Sequence, residues 1–247
     1  MSKRIVISGV SGRMGQTLTK LIASDPRFEL VGGFDHETPP DPAVIARSDV
    51  IIDFSAVAGL QSLLKQDLTG KALVIGTTGL TPEINQALQM TARKSAVLVA
   101  ANFSVGVNLL LGLVAAAARV LAAADYDVEI VEAHHKRKVD APSGTALALA
   151  RAIAGAREAP LEQLRRDGRS GETGARPTGE IGIHALRGGD IVGEHRVHFI
   201  GGRERIEIAH SAQDRALFAE GALRAADWIA GKPAGTYSMK DVLGLES

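Results

Sequence analysis

Apolar residues along the chain fall into short runs separated by polar turns, and the runs change character about a hundred residues in. Arg4–Ser8 (RIVIS) is a β-branched run that stops at Gly9, as expected of a strand. Between Gly12 and Ala23 the apolar positions Met14, Leu18, Leu21 and Ile22 recur at helical spacing. Phe28–Phe34 is a second apolar run. Strand, glycine-rich turn, helix and strand make the βαβ unit of a parallel sheet. Val50–Phe54 (VIIDF) is a continuous apolar run, as strands buried on both faces require. Ala72–Ile75 and Val97–Ala100 read as further strands, with helices between about Ala58 and Gln66 and from Thr81 onward. At the latter start, Thr81 is the N-cap and Pro82 the first helical residue. The first hundred residues therefore read as a doubly wound α/β domain.

The rhythm then changes. Val107–Ala123 reads as a long helix, Val128–Ala133 as a strand and Thr145–Ala154 as a helix. Residues 155–180 hold many Arg, Gly and Glu with little periodicity and read as a long loop. Strands at Ile181–Leu186, Glu194–Ile200 and Arg205–Ala209 follow without intervening helices, which predicts a mostly antiparallel sheet with mixed pairing. Asp214–Ala230 is a helix, closed by Gly231 and Pro233. A second domain after about residue 104 is expected.

Composition narrows the function. Lys plus Arg equals Asp plus Glu at 28 each, so no global basic field points to nucleic acid or to an anionic membrane. The absence of cysteine excludes a thiolate nucleophile, a disulfide framework and Cys-ligated metal. No apolar run reaches the length of a membrane span, and the start of the chain has no signal-like apolar stretch. A cytoplasmic protein is expected. His184, His195 and His198 are expected to be strand residues at subunit contacts, Trp228 to pack, and Arg165, Arg166 and Arg169 to lie on a solvated loop.

Gly9-Val10-Ser11-Gly12-Arg13-Met14-Gly15 sits between the first strand and the first helix, where a dinucleotide pyrophosphate binds. The spacing is G-x-x-G-x-x-G, not the strict G-x-G-x-x-G. Asp35 ends the second strand twenty positions on from Gly15, the place of an acid that holds the adenosine ribose. A carboxylate there favours NAD, while His36 and Arg13 are cations able to tolerate a 2′-phosphate. NADH is expected to serve at least as well as NADPH.

The most unusual stretch is EAHHKRKVDAPSGTA, residues 132–146. Five consecutive bases leave a strand and lead to a helix start. On residue chemistry alone this is an anion site with proton-transfer groups, a solvated loop, or a nucleic-acid contact. Adjacent histidines also bind metals, but no matching triplet accompanies them and no metal site is expected.

This stretch resembles the signature of the 4-hydroxy-tetrahydrodipicolinate reductase (dihydrodipicolinate reductase) family. The resemblance extends through IVISGVSGRMG, VIIDFS, VIGTTGL, AANFSVGVNLL, GEIGIHALRGGDIVGEHRVHFIG and AHSAQDRALFAEGALRAADWI, nearly the whole chain. It implies a Rossmann-type domain from residues 1–104 and 213–247, with an inserted α+β domain, 105–212, for substrate binding and tetramerisation. It implies an enzyme of diaminopimelate and lysine biosynthesis that takes hydride from NADH or NADPH to a small cyclic dicarboxylate with loss of water. Carried over by position, Gly9, Val10, Ser11, Gly12, Arg13 and Met14 line the pyrophosphate, Asp35 and His36 the adenosine ribose. Gly76, Thr77 and Thr78 lie near the nicotinamide ribose, and Ala101, Asn102, Phe103 and Ser104 beside the nicotinamide. His134 and Lys138 are the proton-transfer residues, and His135, Lys138, Gly144 and Thr145 contact substrate. In this chain the region from His36 to Asp49 is short and Pro-rich, which leaves cofactor preference more open than the chemistry.

Two other functions share some of these features. Another Rossmann imine or amino-acid dehydrogenase would keep the glycine turn and Asp35 but not require residues 132–146. An NADH-binding regulator would bind the nucleotide without consuming it.

Overall fold

Ile5, Val6 and Ile7 are three consecutive residues with no exposed surface, because the strand that carries them is covered on both faces. In the computed structural model, which describes residues 1–245, β1 (Lys3–Ser8) leads through the glycine turn to α1 (Arg13–Ser24), β2 (Phe28–Phe34), α2 (Pro42–Arg47), β3 (Val50–Asp53), α3 (Val57–Leu63), β4 (Ala72–Ile75), α4 (Pro82–Thr91) and β5 (Ala96–Val99). Next come α5 (Val105–Val120), β6 (Asp127–His134), α6 (Gly144–Ala156), α7 (Leu161–Leu164), β7 (Arg165–Asp167), β8 (Ile181–Arg187), β9 (Gly193–Ile200) and β10 (Arg205–Ala212). The chain ends with α8 (Ala216–Ile229), β11 (Gly235–Tyr237) and α9 (Met239–Leu243). Two compact units result: Met1–Val105 together with the chain from Ala216 on, and Gly106–Arg215.

In the first unit six strands pair in parallel, in the order β11-β5-β4-β3-β1-β2. Alternate residues of each strand serve opposite cores. Ile5, Ile7, Val50, Ile52, Val74 and Leu98 pack with α1 and α8. Val6, Ile51, Leu73 and Val97 pack with Ile45 of α2, Leu60 of α3 and Ile84 of α4. Trp228 packs on the first of these cores, edge-on to Tyr237 with ring centroids 5.4 Å apart.

In the second unit the order is β10-β9-β6-β8-β7. One face, carrying Val128, Ile130, Ile183 and Val197, is covered by α5 and α6. The other bears Glu129, which pairs with Arg169 at 2.8 Å, Arg176 at 3.1 Å and His184 at 2.7 Å. Burial pushes the Glu129 carboxyl up, but the hydrogen bonds from Arg169, His184 and Arg176 outweigh it and bring it down to about 2.

The structure corrects several expectations. Of the four pairings in the second sheet, only β10–β9 and β9–β6 are antiparallel, while β6–β8 and β7–β8 are parallel. The long connection through α6 is what allows β6 and β8 to run the same way. Residues 155–180 are not all loop, since they contain α7 and β7. β7 is a three-residue edge strand with every residue exposed, so it has no buried alternation to detect. Arg165 and Arg166 lie on that strand, and Arg169 is tied to Glu129 and Glu180. The short elements α2, β11 and α9 were not anticipated. Among the described residues no helix is long and apolar enough to cross a membrane.

Two glycines separate close packing from open helix surface. A Cβ at Gly221 of α8 would stand 1.8 Å from the carbonyl oxygen of Phe103, whereas nothing lies within 4 Å of one at Gly155 of α6. Gly221→Ala is therefore expected to destabilise by at least about 1–3 kcal/mol, and Gly155→Ala to stabilise by about 0.5 kcal/mol. Thermal melts of the two variants, moving in opposite directions, check this.

Candidate active site

The turn after β1 is set by backbone approach. Gly9 has φ +85°, and a Cβ there would lie 2.7 Å from the carbonyl oxygen of Phe54. A Cβ at Gly15 would stand 2.2 Å from the carbonyl oxygen of Gly9. Only glycines let α1 begin this close to the strand. The N-cap of α1 is Gly12, with no side-chain cap and no acid in the first turn. Its positive end is thus available to a phosphate. In front of it lies a cleft of about 780 Å³, lined in part by Gly9, Ser11, Gly12, Asp35, His36 and Ser55.

Asp35 is fixed at the cleft rim. Its carboxylate accepts the backbone N–H groups of Glu37 at 2.9 Å and Thr38 at 3.0 Å. The Ser11 hydroxyl, followed by these N–H groups, holds it below the usual carboxylate range. The His36 side chain is 81% exposed beside it. Val10 and Met14 turn their side chains onto the core, with Val10 filling the space over Gly33. Arg13 is exposed at the first residue of α1.

Asp53, fully buried at the end of β3, ties two neighbouring loops together. It accepts from the Ser55 hydroxyl at 2.6 Å and the Thr77 hydroxyl at 2.5 Å. Burial pushes its carboxyl up, and the hydroxyls only partly offset this. Gly76 lies under the Phe54 ring, where a Cβ would come within 2.3 Å. Phe54 in turn meets Phe103, ring centroids 5.3 Å apart. Thr77 and Phe103 are buried, Ala101 is exposed, and the Asn102 side chain accepts from the Ser104 N–H at 2.8 Å. The glycine turn, residues 76–78 and residues 101–104 all follow the carboxyl ends of parallel strands. That is where nucleotides bind in such sheets, and the glycine-walled turn, uncapped helix end and cleft fit a nicotinamide dinucleotide.

In the second unit the site gathers at the end of β6 and the start of α6. Glu132 and His134 continue the inward face set by Val128 and Ile130, because alternate strand residues share a face. The Glu132 side chain is 0% exposed. It accepts from His134 Nδ1 at 2.6 Å, from the Ser143 N–H at 2.9 Å, and from both terminal nitrogens of Arg187 at 2.8 Å. Arg187 also donates to the Asp140 carbonyl at 2.7 Å. Ser143 caps α6, accepting from the Ala146 N–H at 3.2 Å, and its hydroxyl meets His195 Nε2 at 3.2 Å. His195 packs edge-on to His134, 5.2 Å between ring centroids. Lys138 pairs with Asp140 at 2.8 Å, and His135 Nε2 meets Arg215 at 3.0 Å. Gly144 stands exposed in the first turn of α6, beside Thr145.

His134, His135, Lys138, Gly144 and Thr145 are thus brought together on one strand end and one helix start. His195 is not simply a strand residue at a subunit contact, since it is buried within its own chain against His134 and Ser143. Glu132 and Arg187 were not singled out. The readable signal was a carboxylate two positions before a histidine, hence on the same strand face. Among the described residues no group of three His, Asp or Glu is placed to hold a metal ion.

A nucleotide-binding parallel sheet and a separate unit rich in bases define the class of Rossmann-type nicotinamide reductases. The family profile described as dihydrodipicolinate reductase, N-terminus, matches residues 3–103, and the one described as dihydrodipicolinate reductase, C-terminus, matches residues 106–243. The chain belongs to the dihydrodipicolinate reductase family. The 4-hydroxy-tetrahydrodipicolinate reductase of Caulobacter vibrioides is 43% identical over 98% of each chain. That of an Anaeromyxobacter species is 45% identical, again over 98% of both. Among solved structures, the dipicolinate-bound dihydrodipicolinate reductase of Paenisporosarcina sp. TG-14 superposes with a TM-score of 0.74 at 26% identity, covering 96% of this chain and 98% of that one. The diaminopimelate (DAP) dehydrogenase of C. glutamicum shares the fold, with a TM-score of 0.56 at 18% identity over 100% of this chain and 97% of its own.

Burial, reinforced by His134, lowers the His195 pKa from 6.5 to about 4. The unfolded chain therefore takes up a proton at this position at higher pH than the folded chain does. The stability associated with neutral His195 is complete above pH 6.5 and declines as pH falls toward about 4. In His195→Gln the loss of melting temperature across that window is expected to be shallower than in the wild type, as measured by thermal melts from pH 7 to pH 4.

Proposed function

We propose that this chain reduces 4-hydroxy-tetrahydrodipicolinate to tetrahydrodipicolinate, with loss of water, as a step of diaminopimelate and lysine biosynthesis. The observation that carries the reading is the grouping within residues 132–145 of an imidazole, a lysine and a helix start. The family, and the dipicolinate bound by a relative of 26% identity, support a small cyclic dicarboxylate as the substrate class.

Each group has a task. The first turn of α6, at Gly144 and Thr145, presents N–H donors and a positive helix end to one substrate carboxylate. His135 and Lys138 supply charge and donors for the other. In the free enzyme Lys138 already holds the Asp140 carboxylate, so an incoming carboxylate replaces one anion by another. Loss of water leaves a ring that accepts a hydride at carbon and a proton. His134 and Lys138 are the groups that move that proton. When bound, NADH or NADPH supplies the hydride. The glycine turn would hold the dinucleotide's phosphates, Asp35 and His36 its adenosine ribose, and residues 76–78 and 101–104 its nicotinamide end. Asp35, held ionised, opposes a 2′-phosphate, so NADH serves at least as well as NADPH.

On this reading the first unit is the dinucleotide-binding domain and the second the substrate domain. The second also supports a homotetramer, since its sheet exposes Leu186, Ile200 and Ile206 on surfaces that a partner copy would cover. The protein acts in the cytoplasm.

NADH oxidation that depends on the preceding synthase, acting on pyruvate and aspartate semialdehyde, tests the activity. Oxidation without synthase, or none with either cofactor from protein that binds NADH, contradicts it. Lys138→Ala is expected to lower kcat on the order of 100-fold or more with NADH affinity near that of the wild type by calorimetry. Asp35→Ala is expected to weaken NADH more than NADPH, and the opposite ranking would overturn the ribose assignment.

A further inference from the structure

We infer that Glu132 is the positioning residue of the reaction centre: its buried carboxylate takes the Nδ1–H of His134 and leaves Nε2 as the nitrogen that exchanges a proton with the substrate. The inference rests on the role given to His134 above.

The geometry admits one arrangement. Every group around the Glu132 carboxylate is a donor: two nitrogens of the Arg187 guanidinium, the Ser143 N–H and His134 Nδ1. Burial pushes the carboxyl up, but Arg187, His134 and the Ser143 N–H outweigh it and keep it below its ordinary value. An ionised carboxylate only accepts, so Nδ1 carries the hydrogen whether the ring is neutral or charged. A histidine held in this way has a fixed tautomer and a fixed plane. Proton transfer is then confined to the opposite edge of the ring. There the chain has Gly193, where a Cβ would lie 3.2 Å from His134 Nε2, so a side chain would crowd the reacting edge.

The surroundings agree. His195, kept neutral by burial, packs against the His134 ring without bringing a positive charge to it. His210, its cross-strand neighbour on β10, is likewise lowered by burial. Through Arg187, which bonds the Asp140 carbonyl, the same carboxylate steadies the segment that carries Lys138. Through the Ser143 N–H it steadies the first turn of α6. One acid therefore sets the relative placement of the proton-transfer and carboxylate-binding groups without touching substrate.

A double-mutant cycle combined with NMR tests this. Glu132→Gln is expected to lower kcat about 100-fold, with KM changed by less than about threefold and NADH affinity unaltered. In the His134→Gln background the same substitution is expected to cost clearly less, about tenfold or below, the part carried through Arg187 and the Ser143 N–H. An equal loss in both backgrounds means a general structural role and overturns the proposal. In 15N-histidine spectra the wild type is expected to show His134 protonated at Nδ1, with a downfield proton signal that moves upfield in Glu132→Gln. A wild-type His134 protonated only at Nε2 also overturns it. If the Gln variant does not fold, Glu132→Asp keeps the charge beside Arg187, draws back from His134 and takes its place in the cycle with the same expectations. Absence of wild-type turnover would remove the reductase reading, while the His134 spectrum would still decide the Glu132 pairing.

Discussion

A carboxylate enclosed between a sheet and a helix persists only if donors surround it, and Glu132 imposes that condition on the second unit. Its four contacts come from three places in the chain: β6 itself, the cap of α6 and the end of β8. Satisfying one buried charge therefore fixes where the strand ends, where the helix starts and how the intervening basic segment is tethered. Five adjacent bases on a free loop would be a solvated, mobile patch. Anchored at both ends by this carboxylate and its arginine, they become a site with defined geometry.

The first unit solves its problem with backbone rather than charge. Gly9 and Gly15 allow strand, turn and helix to meet at distances no side chain would permit, and α1 keeps its positive end free. The carboxylates there work differently from Glu132. Asp35 stays ionised at the rim, held by hydroxyl and N–H donors. Asp53, buried among hydroxyls, is raised and acts as a brace between the loops after β3 and β4. On the proposed function the unit thus offers dipoles for phosphate and a charge for ribose, and the second unit offers cations and proton-transfer groups.

Much of this was legible in the sequence, for physical reasons. Strands buried on both faces leave continuous apolar runs, so Val50–Phe54 and its neighbours announce a parallel sheet. The glycine turn and Asp35 are local and carry their spacing with them. The basic stretch was conspicuous because such runs rarely sit between a strand and a helix cap. Short edge elements such as β7 and β11 bury too little to leave a pattern. Glu132 and His195 left only a weak signal for another reason: a charge or a histidine in a strand looks the same whether it faces solvent or a partner. The partner that identifies Glu132, Arg187, lies 55 positions along the chain, and only the fold brings them together. Mixed pairing in the second sheet was expected, but not that half of its pairs are parallel, because β6 inserts between β8 and β9.

The central claim is that the chain transfers a hydride from NADH to the substrate proposed above. The most direct measurement uses NADH carrying deuterium in both positions at the nicotinamide C4, substrate generated in place by the synthase, and mass spectrometry of the product. The account predicts a single deuterium bound to ring carbon in tetrahydrodipicolinate, formed far more slowly by Lys138→Ala. NADH consumed without deuterium in that product would contradict it.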